Sequence, residues 1–83
     1  MNKAQKTCIA ETLSAILHKL EKCEDRLASA QDNGDADAVA RISARIESLS
    51  AELKGADAVL TMLGYVRQYH DDNERGHYTI EKI

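Results

Sequence analysis

A seven-residue repeat of apolar side chains between Val39 and Leu63 constrains the fold of this chain more than any other feature. Apolar residues recur there at spacings that alternate between three and four positions. This is the pattern of a coiled-coil helix, whose apolar stripe has to be covered by another helix. The members of the repeat are Val39, Ile42, Ile46, Leu49, Leu53, Ala56, Leu60 and Leu63.

An earlier stretch of the chain carries a matching repeat and can supply that helix. Its apolar or small members are Ile9, Leu13, Ile16, Leu20, Cys23, Leu27 and Ala30, and Leu17 widens the stripe. Asn2 followed by Gln5 is typical of a capping box, in which each side chain satisfies a free backbone group of the other residue. The sequence therefore predicts a first helix over residues 2–32.

The two repeats are separated by a short polar segment around Gly34. Gly34 suits the left-handed residue that closes a helix, and Asp35 or Asp37 can accept from the free N–H groups that open the next one. We therefore expect a second helix over residues 35–63. Because the connection is so short, the two helices are expected to form an antiparallel coiled-coil hairpin.

The composition supports a small helical domain that gains stability from self-association. The chain has 83 residues, no proline, no tryptophan and no phenylalanine, and a chain this short buries only a modest core. We therefore expect one domain, residues 1–83, that forms a homodimer or higher homo-oligomer. Small residues on the outer flank of the second helix would let another hairpin approach closely: Ala40, Ala44, Ser48, Ala51 and Ala58.

Charge and hydropathy limit the possible partners. The formal net charge is −3, which disfavours a general nucleic-acid binder held by bulk positive charge. No apolar run is long enough to span a bilayer, and the first residues lack the apolar core of a signal peptide. We expect a cytoplasmic protein without a membrane partner.

The residue pattern changes from helical to β-prone after Gly64. Two β-prone runs flank a polar segment that ends in Gly76, which predicts a β-hairpin over residues 65–83. Alternation places Tyr65, Arg67 and Tyr69 on one face of the first strand. In the alternative, the second helix continues to about residue 70. The predicted fold is mainly α: a helical hairpin followed by a short C-terminal β-hairpin.

No residue pattern indicates catalysis or a cofactor. A nucleophile and a base have to converge in a pocket, and a two-helix coiled coil with aliphatic seams offers no concavity apart from its ends, so we predict no enzymatic activity. His70 and His77 would face each other across the hairpin, but two ligands do not define a metal site, and no metal or cofactor is expected. His18 is predicted to lie on the solvated face of the first helix.

One alternative function follows from a resemblance. The segment from Met1 to Thr7 resembles the start of the plasmid Rop-type RNA-binding proteins, which are helical hairpins that dimerise into four-helix bundles. The resemblance implies binding of structured RNA by the first helices of a dimer. The basic residues that would contact RNA are Lys3, Lys6, Lys19, Lys22 and Arg26.

The preferred hypothesis is a non-catalytic module that binds, and thereby inhibits or regulates, a larger intracellular protein. Such small chains are common among phage and mobile-element inhibitors of host defence, including anti-CRISPR proteins. Tyrosine and arginine supply much of the binding energy at interfaces, so the predicted contact residues are Tyr65, Arg67, Tyr69, Arg75 and Tyr78. In a variant of this hypothesis, acidic residues imitate phosphate groups: Asp32, Asp35, Asp37, Asp71, Asp72 and Glu74.

Overall fold

Two long helices and a two-stranded antiparallel sheet make up the part of the chain that the structure describes. The computed structural model describes residues 1–72 and 75–83. In chain order the elements are α1 (Lys3–Asp32), α2 (Ala36–Met62), β1 (Tyr65–Asp72) and β2 (Arg75–Lys82). The predicted helical hairpin followed by a β-hairpin is confirmed, and α2 does not continue into the tail. Glu74, one of the proposed phosphate mimics, lies outside the described residues.

The helix ends follow the predicted local chemistry. At the start of α1, the Gln5 N–H donates to Asn2 Oδ1 at 2.8 Å and the Asn2 N–H donates to Gln5 Oε1 at 2.9 Å. These two bonds complete a capping box. At the start of α2, Asp35 Oδ1 accepts from the Ala38 N–H at 3.1 Å.

Two glycines allow the chain to turn where each helix ends. Gly34 and Gly64 adopt φ values of +67° and +84°, a left-handed conformation that side chains with a Cβ disfavour. Gly34 connects α1 to α2, whereas Gly64 ends the helical hairpin and directs the chain into β1. The carbonyl of Gly64 also accepts from the Ile83 N–H at 3.0 Å.

The facing stripes of the two helices form the core, as the apolar repeats predict. Leu13 and Ala30 of α1 are buried, as are Leu49, Leu53 and Leu60 of α2. Leu63, the last member of the repeat, is instead 60% exposed. Since α2 ends at Met62, Leu63 occupies the C-cap and lies outside the seam between the helices.

The sheet packs one face against the helices. In the register of the ladder, Tyr69 pairs with Tyr78 and Arg67 pairs with Ile80. Tyr78 and Ile80 are buried in the same cluster as Leu13, Leu53 and Leu60. Burial of two large apolar side chains contributes roughly 3 to 6 kcal/mol before ordering costs. This packing stabilises a hairpin that would be marginal alone.

The outer flank of α2 is open to solvent. All five small residues predicted to admit a second hairpin are exposed: Ala40, Ala44, Ser48, Ala51 and Ala58. Self-association therefore stays a prediction. Across the described residues, neither helix has the length of apolar sequence that a membrane crossing requires.

Candidate interaction surfaces

Strand β2 is attached to α1 by two polar side chains. The Tyr78 N–H donates to Ser14 Oγ at 2.9 Å, and His18 Nε2 donates to the Gly76 carbonyl at 3.0 Å. Ser14 and His18 are four residues apart, so both project from one side of α1. They bond to the edge of β2 as a neighbouring strand would.

The prediction that His18 is solvated is therefore wrong. Its side chain is half-buried beneath the hairpin and hydrogen-bonded to backbone. The helical repeat places His18 off the seam between α1 and α2, but the sheet covers that flank of α1. Ser14 was likewise not singled out from the sequence, because a serine beside an apolar stripe is an ordinary helix residue.

A polar cluster centred on Arg67 joins β1 to α2. Arg67 donates to Asp57 through Nε at 2.9 Å and Nη2 at 2.8 Å, and its guanidinium carbon lies 4.4 Å from the centre of the Tyr78 ring. Hydrogen bonding to Asp57 raises the pKa of Arg67. Nothing in the sequence around Asp57 indicates this partner, which is ten residues away from Arg67.

The solvent-facing side of the hairpin carries a stacked histidine pair. His70 and His77 are cross-strand partners, with ring centres 5.2 Å apart and planes 22° apart. Thr79 donates its hydroxyl proton to Glu81 at 3.0 Å, so His70 Nε2 is the donor in its 2.7 Å bond to Thr79. Among the described residues, no group of three or more His, Cys, Asp or Glu side chains is placed to hold a metal ion.

An apolar patch is exposed where α2 ends. Val59, Met62 and Leu63 are 57%, 85% and 60% exposed and lie within one helical turn of each other. Ile83 is 76% exposed, and the bond from its N–H to the Gly64 carbonyl places its backbone beside the end of α2. We call these four residues the end patch. Large exposed apolar patches are typical of interaction sites, so the end patch is a candidate for one.

The end patch borders an open cavity of about 540 Å³. Leu63 is part of both, so the two form a continuous apolar surface. The remaining lining residues come from the start of α1 and from the hairpin: Met1, Gln5, Cys8, Ile9, Tyr65 and Lys82. A groove of about 620 Å³ follows the other side of α1, between Lys3 to His18 and the β2 residues His77 to Glu81.

The five predicted contact residues occupy different environments. Tyr69 and Arg75 are exposed, Tyr65 is half-buried against the core, and Arg67 is engaged with Asp57. Tyr78 is buried and lies edge-on to Tyr69, with ring centres 6.1 Å apart. Of this group, Tyr69 and Arg75 are therefore the residues that are exposed to a partner without rearrangement.

The proposed phosphate mimics are not brought together. Asp32, Asp35 and Asp37 are exposed around the connection between the helices. Asp71 is the cross-strand partner of Gly76, which is bonded to His18. His18 precedes Asp32 along α1 by roughly 20 Å, at about 1.5 Å per residue. Among the acidic side chains that the structure describes, Asp71 thus lies apart from Asp32, Asp35 and Asp37.

Comparisons with known proteins assign no family to this chain. A scan against protein-family models finds no match, and searches of curated proteins and of solved structures find none either.

Proposed function

We propose that this chain is a non-catalytic module that binds a larger protein through the end patch and the adjoining cavity. The observation that carries the proposal is the exposure of Met62 and Leu63 beside an apolar cavity. The protein has few buried apolar side chains, yet it leaves these large ones in water. A partner that covers them would recover their burial free energy, about 1.5 to 3 kcal/mol per side chain.

The finer proposal is that binding inhibits or regulates the partner, in the manner of phage or mobile-element inhibitors such as anti-CRISPR proteins. Its support is the small size and mixed charge of the chain. In this proposal the protein acts in the cytoplasm and as a homo-oligomer. Tyr69 and Arg75 are exposed and would extend the contact beyond the end patch.

The test is affinity capture from a lysate of the organism that encodes the chain, with and without nuclease. We expect wild type to retain one stoichiometric protein after nuclease treatment. The double variant Met62→Glu and Leu63→Glu should lose it, because charges would be buried at the interface. The matched control is Ala28→Glu and Ser29→Glu, two adjacent exposed positions on α1 that belong to no proposed interface. Equal capture by both variants would contradict a role for the end patch.

Inhibition is tested separately, once a partner is captured. The purified partner should lose activity in proportion to added wild-type protein and should keep it when the Met62 and Leu63 double variant is added. Unchanged partner activity at saturating wild-type protein would remove the inhibitory role and leave only binding.

A Rop-like RNA-binding function is the second candidate. The observation that favours it is the exposure of Lys3, Lys19, Lys22 and Arg26 on α1. Exposed acidic residues on the same helix, Glu21, Glu24 and Asp25, weaken its positive field. If this function is correct, capture yields nuclease-sensitive RNA, and binding falls steeply with salt and with Lys19→Ala and Lys22→Ala.

A further inference from the structure

The two edges of the sheet differ in how their backbone groups are satisfied. In an antiparallel ladder, alternate residues point their N–H and C=O groups away from the neighbouring strand. The Tyr78 N–H and the Gly76 carbonyl point away from β1, because Ser14 and His18 bond to them. Their cross-strand partners Tyr69 and Asp71 must then point their own backbone groups away from β2.

The outer edge of β1 has no equivalent covering. Within residues 1–72 and 75–83, no hydrogen bond reaches the outward backbone groups of Arg67, Tyr69 or Asp71. The side chains agree with this difference. Tyr69 and Asp71 of β1 are exposed, whereas their cross-strand partners Tyr78 and Gly76 of β2 are buried. An eight-residue strand with an open edge is a template for pairing with another strand.

We propose that β1 pairs antiparallel with β1 of a second copy, around a two-fold axis at Tyr69. The product is a four-stranded sheet in which the two β1 strands are central. This inference specifies the interface of the proposed homo-oligomer and does not depend on the larger partner protein.

Charge complementarity favours a second copy of the chain as the source of the pairing strand, and it determines the register of the two β1 strands. Outward-pointing residues can bond only to outward-pointing residues, so Arg67, Tyr69 and Asp71 must pair among themselves or with Tyr65. A register centred on Arg67 places that residue opposite the partner's Arg67, which is repulsive. A register centred on Tyr69 places Arg67 opposite the partner's Asp71 and Asp71 opposite the partner's Arg67.

A third register, centred on Gln68, places Arg67 opposite the partner's Tyr69 and forms no ion pair. Of these three registers, the one centred on Tyr69 is therefore the one that pairs Arg67 with Asp71. Two-fold symmetry then gives two such ion pairs. Arg67 has the capacity for this contact, because a guanidinium carries five N–H donors and Asp57 takes two of them.

Amide hydrogen exchange, followed by NMR as a function of protein concentration, tests the proposal directly. Analytical ultracentrifugation on the same samples gives the oligomeric state. As dimer forms, exchange of the Arg67, Tyr69 and Asp71 amides should slow by at least about tenfold. The Gln68 and His70 amides, which point toward β2, serve as internal controls and should change little.

Two exposed carboxylates offer a matched pair of charge reversals. Asp71→Lys places a cation opposite the partner's Arg67 and should raise the dimer dissociation constant by about tenfold or more. Glu81→Lys makes the same change of charge on the solvent-facing side of β2 and should leave the dissociation constant unchanged. Both variants should keep the wild-type circular dichroism spectrum.

The possible outcomes separate this proposal from the proposed self-association. A monomer at all concentrations overturns both. A dimer whose Tyr69 amide still exchanges rapidly, or one that Ser48→Asp splits and Asp71→Lys does not, overturns the strand-edge interface and leaves self-association standing. If the Tyr69 amide is protected only in a complex with the larger partner, pairing with a second copy is wrong. The edge of β1 then pairs with a strand of the partner protein.

Discussion

The backbone N–H of Tyr78 donates to the Ser14 hydroxyl at 2.9 Å, across 64 positions of sequence. This bond and the neighbouring contact between His18 and Gly76 determine where the hairpin lies on α1. They give the sheet one covered edge and one open edge. The placement of a terminal hairpin thus decides which surfaces remain for partners.

Ser14→Ala tests the contribution of this bond. The substitution leaves the partly buried Tyr78 N–H without its partner, so we expect the free energy of unfolding to fall by about 1 to 2 kcal/mol. The measurement is urea unfolding followed by far-ultraviolet circular dichroism. Ser48→Ala, on the exposed flank of α2, controls for the helix propensity of alanine and should change stability little. Equal stability of the two variants would contradict the role of Ser14.

A double-mutant cycle on Asp57 and Arg67 measures their coupling. The pair makes two hydrogen bonds, and its side chains are 39% and 22% exposed. Because solvent screens a partly exposed pair, we expect a coupling free energy of about 1 kcal/mol. Arg67→Lys should lose most of it, since an ammonium cannot reproduce the two-pronged geometry. Additive effects of Asp57→Ala and Arg67→Ala would show that the pair contributes nothing.

Gly76 provides space for the Tyr69 ring. A Cβ atom at Gly76 would lie 2.5 Å from Tyr69 Oη and 2.6 Å from Cε2. Gly76→Ala should displace this exposed ring from Tyr78 and cost about 1 kcal/mol in unfolding experiments. In a Tyr69→Ala background the obstacle is gone and the same substitution should cost far less. An equal loss of stability in both backgrounds would show that the alanine side chain does not clash with Tyr69.

Leu49→Asp tests the seam between the helices. Leu49 is 1% exposed, so the variant buries an unpaired carboxylate. A loss of more than about 4 kcal/mol is expected, which is comparable to the whole stability of a small domain. Circular dichroism should then show an unfolded chain. Ser48→Asp places the same charge on the exposed flank next to it and should retain the helical spectrum and a cooperative melt.

The titration of Tyr69 provides a pH-dependent prediction. Partial desolvation, followed by the carboxylates of Asp71 and Glu21, raises the pKa of Tyr69. An unfolded tyrosine titrates near pH 10, so the folded state holds this proton more tightly. The associated stability is complete below about pH 10 and is lost as the pH rises through the folded pKa.

Ultraviolet absorbance titration of tyrosinate measures this shift. Tyr69→Phe identifies the signal of this residue, and Asp71→Asn should lower its pKa by removing one nearby negative charge. An unaltered titration curve in Asp71→Asn would show that this carboxylate does not act on Tyr69.

The sequence by itself determined the local structure and the pairing of the helices. The repeat from Val39 to Leu63, the Asn2 cap and the left-handed turn at Gly34 each act within a few residues. These features can therefore be predicted directly from the periodicity of apolar residues and from turn preferences. The alternation after Gly64 likewise placed Tyr65, Arg67 and Tyr69 on one face of β1, which the ladder confirms.

Only the tertiary structure decided which flank of the helical hairpin the sheet covers. The position of the sheet buries Tyr78, half-buries His18 and leaves the end patch and the edge of β1 exposed. It depends on contacts between residues far apart in sequence, such as Ser14 with Tyr78. The helical repeat specifies where α1 meets α2, but it carries no information about a sheet that docks on the neighbouring flank.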